Sequence, residues 1–198
     1  MPALFSPGAN RIARGVLIAG VALAIAVPVG LMVWVRTPAV TGQGRAAHQP
    51  IPFDHRIHVT GLQIDCRYCH ADADRGAAAG LPATAVCQPC HNTAWLSSPQ
   101  FAPVRRSLAT GRPIPWQRVN RLPDFVYFNH AVHVTGGIRC ESCHGRVDRM
   151  AEVRQAEPLT MGWCLDCHRN PEPHRPQTLA PLTAARRAAI VTCSACHR

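Results

Sequence analysis

The feature that most constrains this chain is a five-residue pattern, C-x-x-C-H, which occurs five times in 198 residues. It stands at Cys66, Cys69 and His70; at Cys87, Cys90 and His91; at Cys140, Cys143 and His144; at Cys164, Cys167 and His168; and at Cys193, Cys196 and His197. All ten cysteines are consumed by it. A disulfide framework or a thioredoxin-like redox motif gives no reason for a histidine behind every pair. Structural zinc takes two such pairs per metal, and five pairs do not divide that way. The pattern is the attachment signature of a c-type haem, with two thioethers to the vinyl groups and an imidazole on the iron. The expectation is five covalently bound haem c groups. The ten cysteines anchor them, and His70, His91, His144, His168 and His197 are their proximal ligands.

A longer unit is duplicated around these motifs. Phe53-Asp-His55-Arg-Ile-His58-Val-Thr-Gly recurs as Phe128-Asn-His130-Ala-Val-His133-Val-Thr-Gly, with one residue of slippage before the cysteines that follow. Each copy carries two haem motifs, which makes 52–91 and 127–168 duplicated dihaem modules with a fifth haem at 193–197. His55, His58, His130 and His133 are the expected distal ligands, because scattered surface histidines would not form two matching pairs. In tetrahaem cytochromes of the c3 kind, similar pairs split between the adjacent haem and a different one, stitching the haems into a line.

The fifth distal ligand stays open. Met161, which stands where the first module has Thr84, leads; His174, His48, Met150 and an open iron are the alternatives. A methionine there would raise that haem's potential relative to bis-histidine neighbours. Irons ligated on both faces admit no substrate, so the chain is expected to carry electrons and to hold no catalytic site of its own. An enzyme acting through an under-ligated fifth haem is the competing option. Trp95, Trp116 and Trp163 read as packing against haem edges.

The formal charge is +10, and all 21 basic residues are arginine. Five haems bring roughly ten propionate charges, which balance the chain without any nucleic acid as partner. Planar guanidinium groups suit bidentate pairing with such carboxylates.

At the N-terminus, Gly15 to Val35 is 21 residues without a charge. At about 1.5 Å per residue it matches a bilayer core of about 30 Å. Ala24-Ile-Ala26 resembles a signal-peptide cleavage site, but the apolar run continues past it, so an uncleaved anchor is expected. The expected organisation is 1–14 cytoplasmic, 15–35 transmembrane, 36–51 linker and 52–198 pentahaem domain. Thioether attachment on the oxidising side places the haems on the outer, periplasmic face of a bacterial cytoplasmic membrane. The fold class is a c3/c7-like multihaem cytochrome c, mostly irregular with short α-helices and little or no sheet, preceded by one transmembrane helix. Residues 181–192 and, more weakly, 101–109 are the expected soluble helices. With few aromatics and five haems to enclose, the apoprotein is not expected to fold.

The N-terminal helix, the five motifs, Gln49-Pro-Ile-Pro-Phe53-Asp-His55, Leu122-Pro-Asp-Phe-Val-Tyr-Phe128-Asn-His130 and Met161-Gly-Trp-Cys164-Leu-Asp-Cys167-His168-Arg resemble the pentahaem cytochrome subunit of alternative complex III. The resemblance covers essentially the whole chain. It implies a quinol-oxidising respiratory or photosynthetic complex in which polytopic membrane subunits hold the quinol and an iron–sulfur subunit passes electrons to this chain. A monohaem cytochrome subunit, a soluble cytochrome c or a blue-copper protein would receive them. The alternatives are a free-standing membrane quinol dehydrogenase with an N-terminal helix and usually four haems, and a multihaem periplasmic hub or shuttle.

Overall fold

The computed structural model describes residues 8–95 and 97–197. Residues 1–7 of the expected cytoplasmic segment and Arg198, the last residue of the expected haem domain, lie outside the described residues. The chain divides into two units, Met1–Gly42 and Gln43–Arg198.

The first unit is dominated by the helix Ala9–Trp34. Its 26 residues span about 39 Å at 1.5 Å per residue, and it starts six positions before the uncharged run, taking in Arg11 and Arg14. None of its residues is buried, and it is long and apolar enough to cross a bilayer. Pro28 lies inside it, where a missing N–H costs one ladder bond. The C-terminal carbonyls find side-chain donors: Arg36 Nη1 donates to Met32 O at 2.6 Å and Thr37 Oγ1 to Trp34 O at 2.7 Å. A one-turn helix Pro38–Thr41 follows and ends on Gly42 at φ 76°, the left-handed conformation that glycine supplies.

The second unit is built of short helices and loops, and the described residues contain no strand, only an isolated bridge between Ala46 and Arg154. The haem motifs make the helices. Cys66–Cys69, Gln88–His91, Glu141–His144, Met161–Arg169 and Cys193–Cys196 each wind one turn or more through a C-x-x-C-H. Cysteines at i and i+3 and a histidine at i+4 share one helical face, so a single turn aims all three the same way. Caps set two of them: Asp65 accepts from Arg67 N at 2.8 Å, and Thr160 Oγ1 from Trp163 N at 3.4 Å.

Both expected soluble helices form, over shorter or shifted ranges. Ala102–Thr110 follows a 3-10 turn at Pro99–Phe101, and Ala184–Ile190 begins after Thr183, which accepts from Arg186 N at 3.2 Å. The expected free linker is different. Gly44 N donates to Gln155 O at 2.7 Å, Gln43 Nε2 to Ala156 O at 2.8 Å, and the Gln49 amide exchanges two bonds with the Gln117 backbone at 2.9 and 3.0 Å. Residues 43–51 are therefore laid onto the haem unit by glutamine side chains, which leave no periodic signature in the sequence.

The protein core is small. Ile51, Val104 and Ile114 form it, with Phe101, Leu108 and Trp116 packed around them. Among the described residues no side chain is fully buried. The accessible surface is 14665 Å², against about 9,200 Å² for a compact monomer of this mass. An apolar helix with no buried residue accounts for part of that excess.

The one-residue slippage between the modules has a local solution. In the first copy Arg56–Gly61 is a π-helix, closed by Leu62 N to Ile57 O; in the second His130–Thr135 is an α-helix. Ile64 N and Ile138 N bond to the carbonyls of the matching His58 and His133, at 3.1 and 3.0 Å. The extra residue is absorbed before it reaches the cysteines, as π-bulges commonly do at functional sites. Replacing Ile51, 6 % exposed, with alanine is expected to destabilise the haem-bearing protein by about 2–5 kcal/mol, read as a lowered thermal midpoint.

Candidate haem-binding sites

Each copy of Phe-x-His-x-x-His uses the phenylalanine as a wedge between its two imidazoles. Phe53 stacks on His58 with ring centres 4.3 Å apart and meets His55 edge-on at 4.7 Å. Phe128 repeats this with His133 at 4.5 Å and His130 at 4.8 Å. The second histidine of each pair is also fixed by the carbonyl four residues back, Asp54 O for His58 at 2.9 Å and Asn129 O for His133 at 2.7 Å.

The histidines then meet across gaps of one size. His58 faces His91 at 6.2 Å between ring centres, His130 faces His144 at 6.3 Å, and His133 faces His168 at 6.0 Å. A metal–nitrogen distance of about 2.0 Å and a ring radius of about 1.1 Å would put two imidazoles on one metal about 6.2 Å apart. The spacing fits one iron between each pair. His55 and His70 are close enough for the charge of one to disfavour that of the other. Among the rings that face each other, His130 meets the first motif of its module, and His58 and His133 each meet the second motif of theirs.

The donor set is chemically ready. Burial, with the neighbouring His70 and His58 rings, pushes the His55 imidazole down to about 4. Burial likewise lowers His133 and His144 below the ordinary histidine range. All three are held neutral, the form that binds a metal. A ligand bound through Nε2 carries its proton on Nδ1, and seven of these rings have Nδ1 on a main-chain carbonyl. The partners are Asp54 O, Gly80 O, Ala94 O, Ala77 O, Asn129 O, Ile190 O and Phe125 O, for His58, His70, His91, His130, His133, His168 and His197, at 2.7–3.1 Å. No group of three or more His, Cys, Asp or Glu side chains forms a metal cage among the described residues. Opposed pairs suit a macrocycle that supplies the other four ligands itself.

The cysteines place the motifs in order. Burial, and after it the neighbouring Cys140, push the Cys66 thiol up. Cys87 is raised by burial and by Cys69. Burial, Cys167 and Cys164 push Cys143 up to about 11, and Cys164 is raised by burial and by Cys196. The sulfurs therefore neighbour one another in the sequence second, first, third, fourth, fifth motif.

Among the described residues, no histidine ring faces His197 of the fifth motif. His197 stacks beside Phe125 at 5.8 Å, and Tyr127 N donates to Cys196 O at 2.8 Å. Met161 opens the helix whose Cys164 neighbours Cys196, and its side chain is 63 % exposed. His48 and His174 are both exposed. Of the tryptophans, Trp116 packs in the protein core and against Phe53 at 6.4 Å, Trp163 is half-buried, and Trp95 is 71 % exposed with φ 65°. Three contributors carry no sequence signal of a ligand's partner: the Gly76–Gly80 loop, which receives His70 and the start of His130–Thr135; the phenylalanine wedges; and Asn120, which touches His144. The duplicated Phe-x-His could have pointed to the wedges.

Helical in its described residues and without a strand among them, the second unit has the architecture of a c7-like multihaem domain. Residues 126–198 match the family model described as cytochrome c7 and related cytochrome c. The chain is also 38 % identical over 97 residues to the menaquinone reductase multihaem cytochrome c subunit of Nitratidesulfovibrio vulgaris strain Hildenborough. That match covers 48 % of this chain and 45 % of that protein, so the chain spans a little under half the length of the curated relative.

Double substitutions test the pairing. His133→Ala with His168→Ala is expected to remove one low-spin haem from the spectrum, because both serve one iron. His133→Ala with His144→Ala is expected to remove two. Equal losses in the two variants would show that the rings are paired differently.

Proposed function

We propose that the chain is a membrane-anchored electron wire of five haems, part of a larger quinone-reactive complex. The observation that carries this is the series of opposed histidine pairs at iron-binding spacing, linked motif to motif by neighbouring cysteines. Cys66 and Cys69, Cys87 and Cys90, Cys140 and Cys143, Cys164 and Cys167, and Cys193 and Cys196 would attach the haems. His55 with His70, His58 with His91, His130 with His144 and His133 with His168 would hold four irons, and His197 with Met161 the fifth. Haem supplies the redox couple. These histidines would hold each haem in a fixed position, and the bound group would then carry electrons without exchanging a ligand. The helix Ala9–Trp34 anchors the unit, with the haems on the outer face.

The assembly favoured by the sequence motifs is alternative complex III, with quinol oxidised in polytopic subunits and electrons arriving through an iron–sulfur subunit. They would leave to a monohaem cytochrome, a soluble cytochrome c or a blue-copper protein. The relative from a menaquinone reductase favours a second reading, in which the same wire runs toward quinone. A wire works in either direction, so membranes containing the complex decide between them. Reduction of soluble cytochrome c by added quinol supports the first reading; reduction of menaquinone by reduced cytochrome supports the second. The purified chain alone is expected to leave quinol unoxidised and to bind no carbon monoxide. Rapid quinol oxidation by the single chain would instead identify a free-standing dehydrogenase. Met161→His is expected to lower the midpoint potential of one haem and leave four unmoved, measured by redox titration.

A further inference from the structure

Seven of the nine ligand-type histidines have Nδ1 on a main-chain carbonyl, an interaction that no side-chain substitution at the acceptor can remove. The buried Nδ1 of His55 has no partner. His144 differs from all of these. Its Nδ1 lies 3.1 Å from the side-chain amide nitrogen of Asn120, while the buried Oδ1 of the same amide has no hydrogen bond. With Nε2 committed to a metal, Nδ1 carries a proton and must donate. An amide turned end for end presents Oδ1 to that proton and satisfies the orphaned oxygen in the same movement. The two anomalies have one cure.

We propose that Asn120 is the positioning residue for the third haem: its Oδ1 accepts the Nδ1 proton of His144, fixes the ring plane and sets that haem's potential. Ring orientation agrees with this. His130 and His144 lie 4° from parallel, whereas the His58–His91 and His133–His168 pairs are turned by 43° and 33°. Both rings of the parallel pair are pinned from outside their own motifs, His130 by Ala77 O and His144 by Asn120. The third motif's partner ring also sits at the junction of the two modules: His130 Nδ1 is bonded to Ala77 O, and Thr60 Oγ1 donates to Asp148 O just after the third motif. Electrons passing between modules would cross this haem, so its potential sets the step between the two halves. An acceptor on Nδ1 makes the imidazole more basic and favours ferric iron. A side-chain acceptor lets a single codon retune it.

The inference rests on the haem-ligand reading above, and the test separates the two. The variants are Asn120→Asp and Asn120→Leu in the full haem-bearing chain, read by potentiometric titration with electron paramagnetic resonance and by the mass of the Cys140–His144 peptide. Aspartate, a stronger acceptor of the same shape, is expected to lower one midpoint potential; leucine, which accepts nothing, is expected to raise the same one. Each variant should move the reduced-to-oxidised ratio of that haem at fixed poise by about tenfold, the usual scale of a lost or strengthened outer-sphere bond. The leucine variant should also broaden or shift the resonance of the parallel-ring haem alone. Shifts of the same sign in both variants, shifts spread over all five haems, or no shift with the haem present would overturn the role of Asn120 and leave the ligand reading standing. A Cys140–His144 peptide without haem in the unaltered protein would overturn both.

Discussion

Two imidazoles facing each other across about 6 Å are the constraint on which this structure depends. Each member of a pair comes from a different local element: the distal rings from a Phe-wedged turn, the proximal rings from the helical turn of a C-x-x-C-H motif. A metal between them would join elements that are far apart in the sequence, such as His58 with His91 and His133 with His168. The hydrophobic core of Ile51, Val104 and Ile114 is too small to organise about 150 residues, and no side chain described is fully buried. Porphyrin faces would add apolar surface to this core, which is why the apoprotein is expected not to fold without them.

The duplication shows how the pattern tolerates change. A residue inserted between His58 and Cys66 is taken up by a π-turn, so the first module keeps the same wedge, the same carbonyl on its second histidine and the same pairing as the second module. The copies are not equal in their outer contacts. His130 is anchored by Ala77 O from the preceding module, while its counterpart His55 has an unbonded Nδ1. Two irons held by such matching histidines would sit in different hydrogen-bonding surroundings, which is one way a duplicated unit acquires a gradient of potentials.

Much of this was legible in the sequence because covalent chemistry leaves residues at fixed spacing. The five C-x-x-C-H motifs and the two Phe-x-His-x-x-His pairs stand at fixed spacing, and the helical fold, without a strand among the described residues, agrees with what they predict. The docked linker was not legible: Gln43 and Gln49 bind backbone through their amides, and a glutamine in a Pro/Gly-rich stretch looks like any solvated loop residue. Nor was the pairing of distal rings with irons, which depends on how the modules fold together. Met161 shows the same limit. Its spacing before Cys164 places it at the start of the helix Met161–Arg169, where it is exposed.

The central claim is that macrocycles covalently tied to this chain hold its histidine pairs together. Mass spectrometry of the intact protein and of its arginine-cleaved peptides tests it most directly. The account predicts five haem additions to the chain, one on each peptide that carries a C-x-x-C-H. Fewer additions, free thiols in any motif, or disulfides or zinc in place of haem would contradict it.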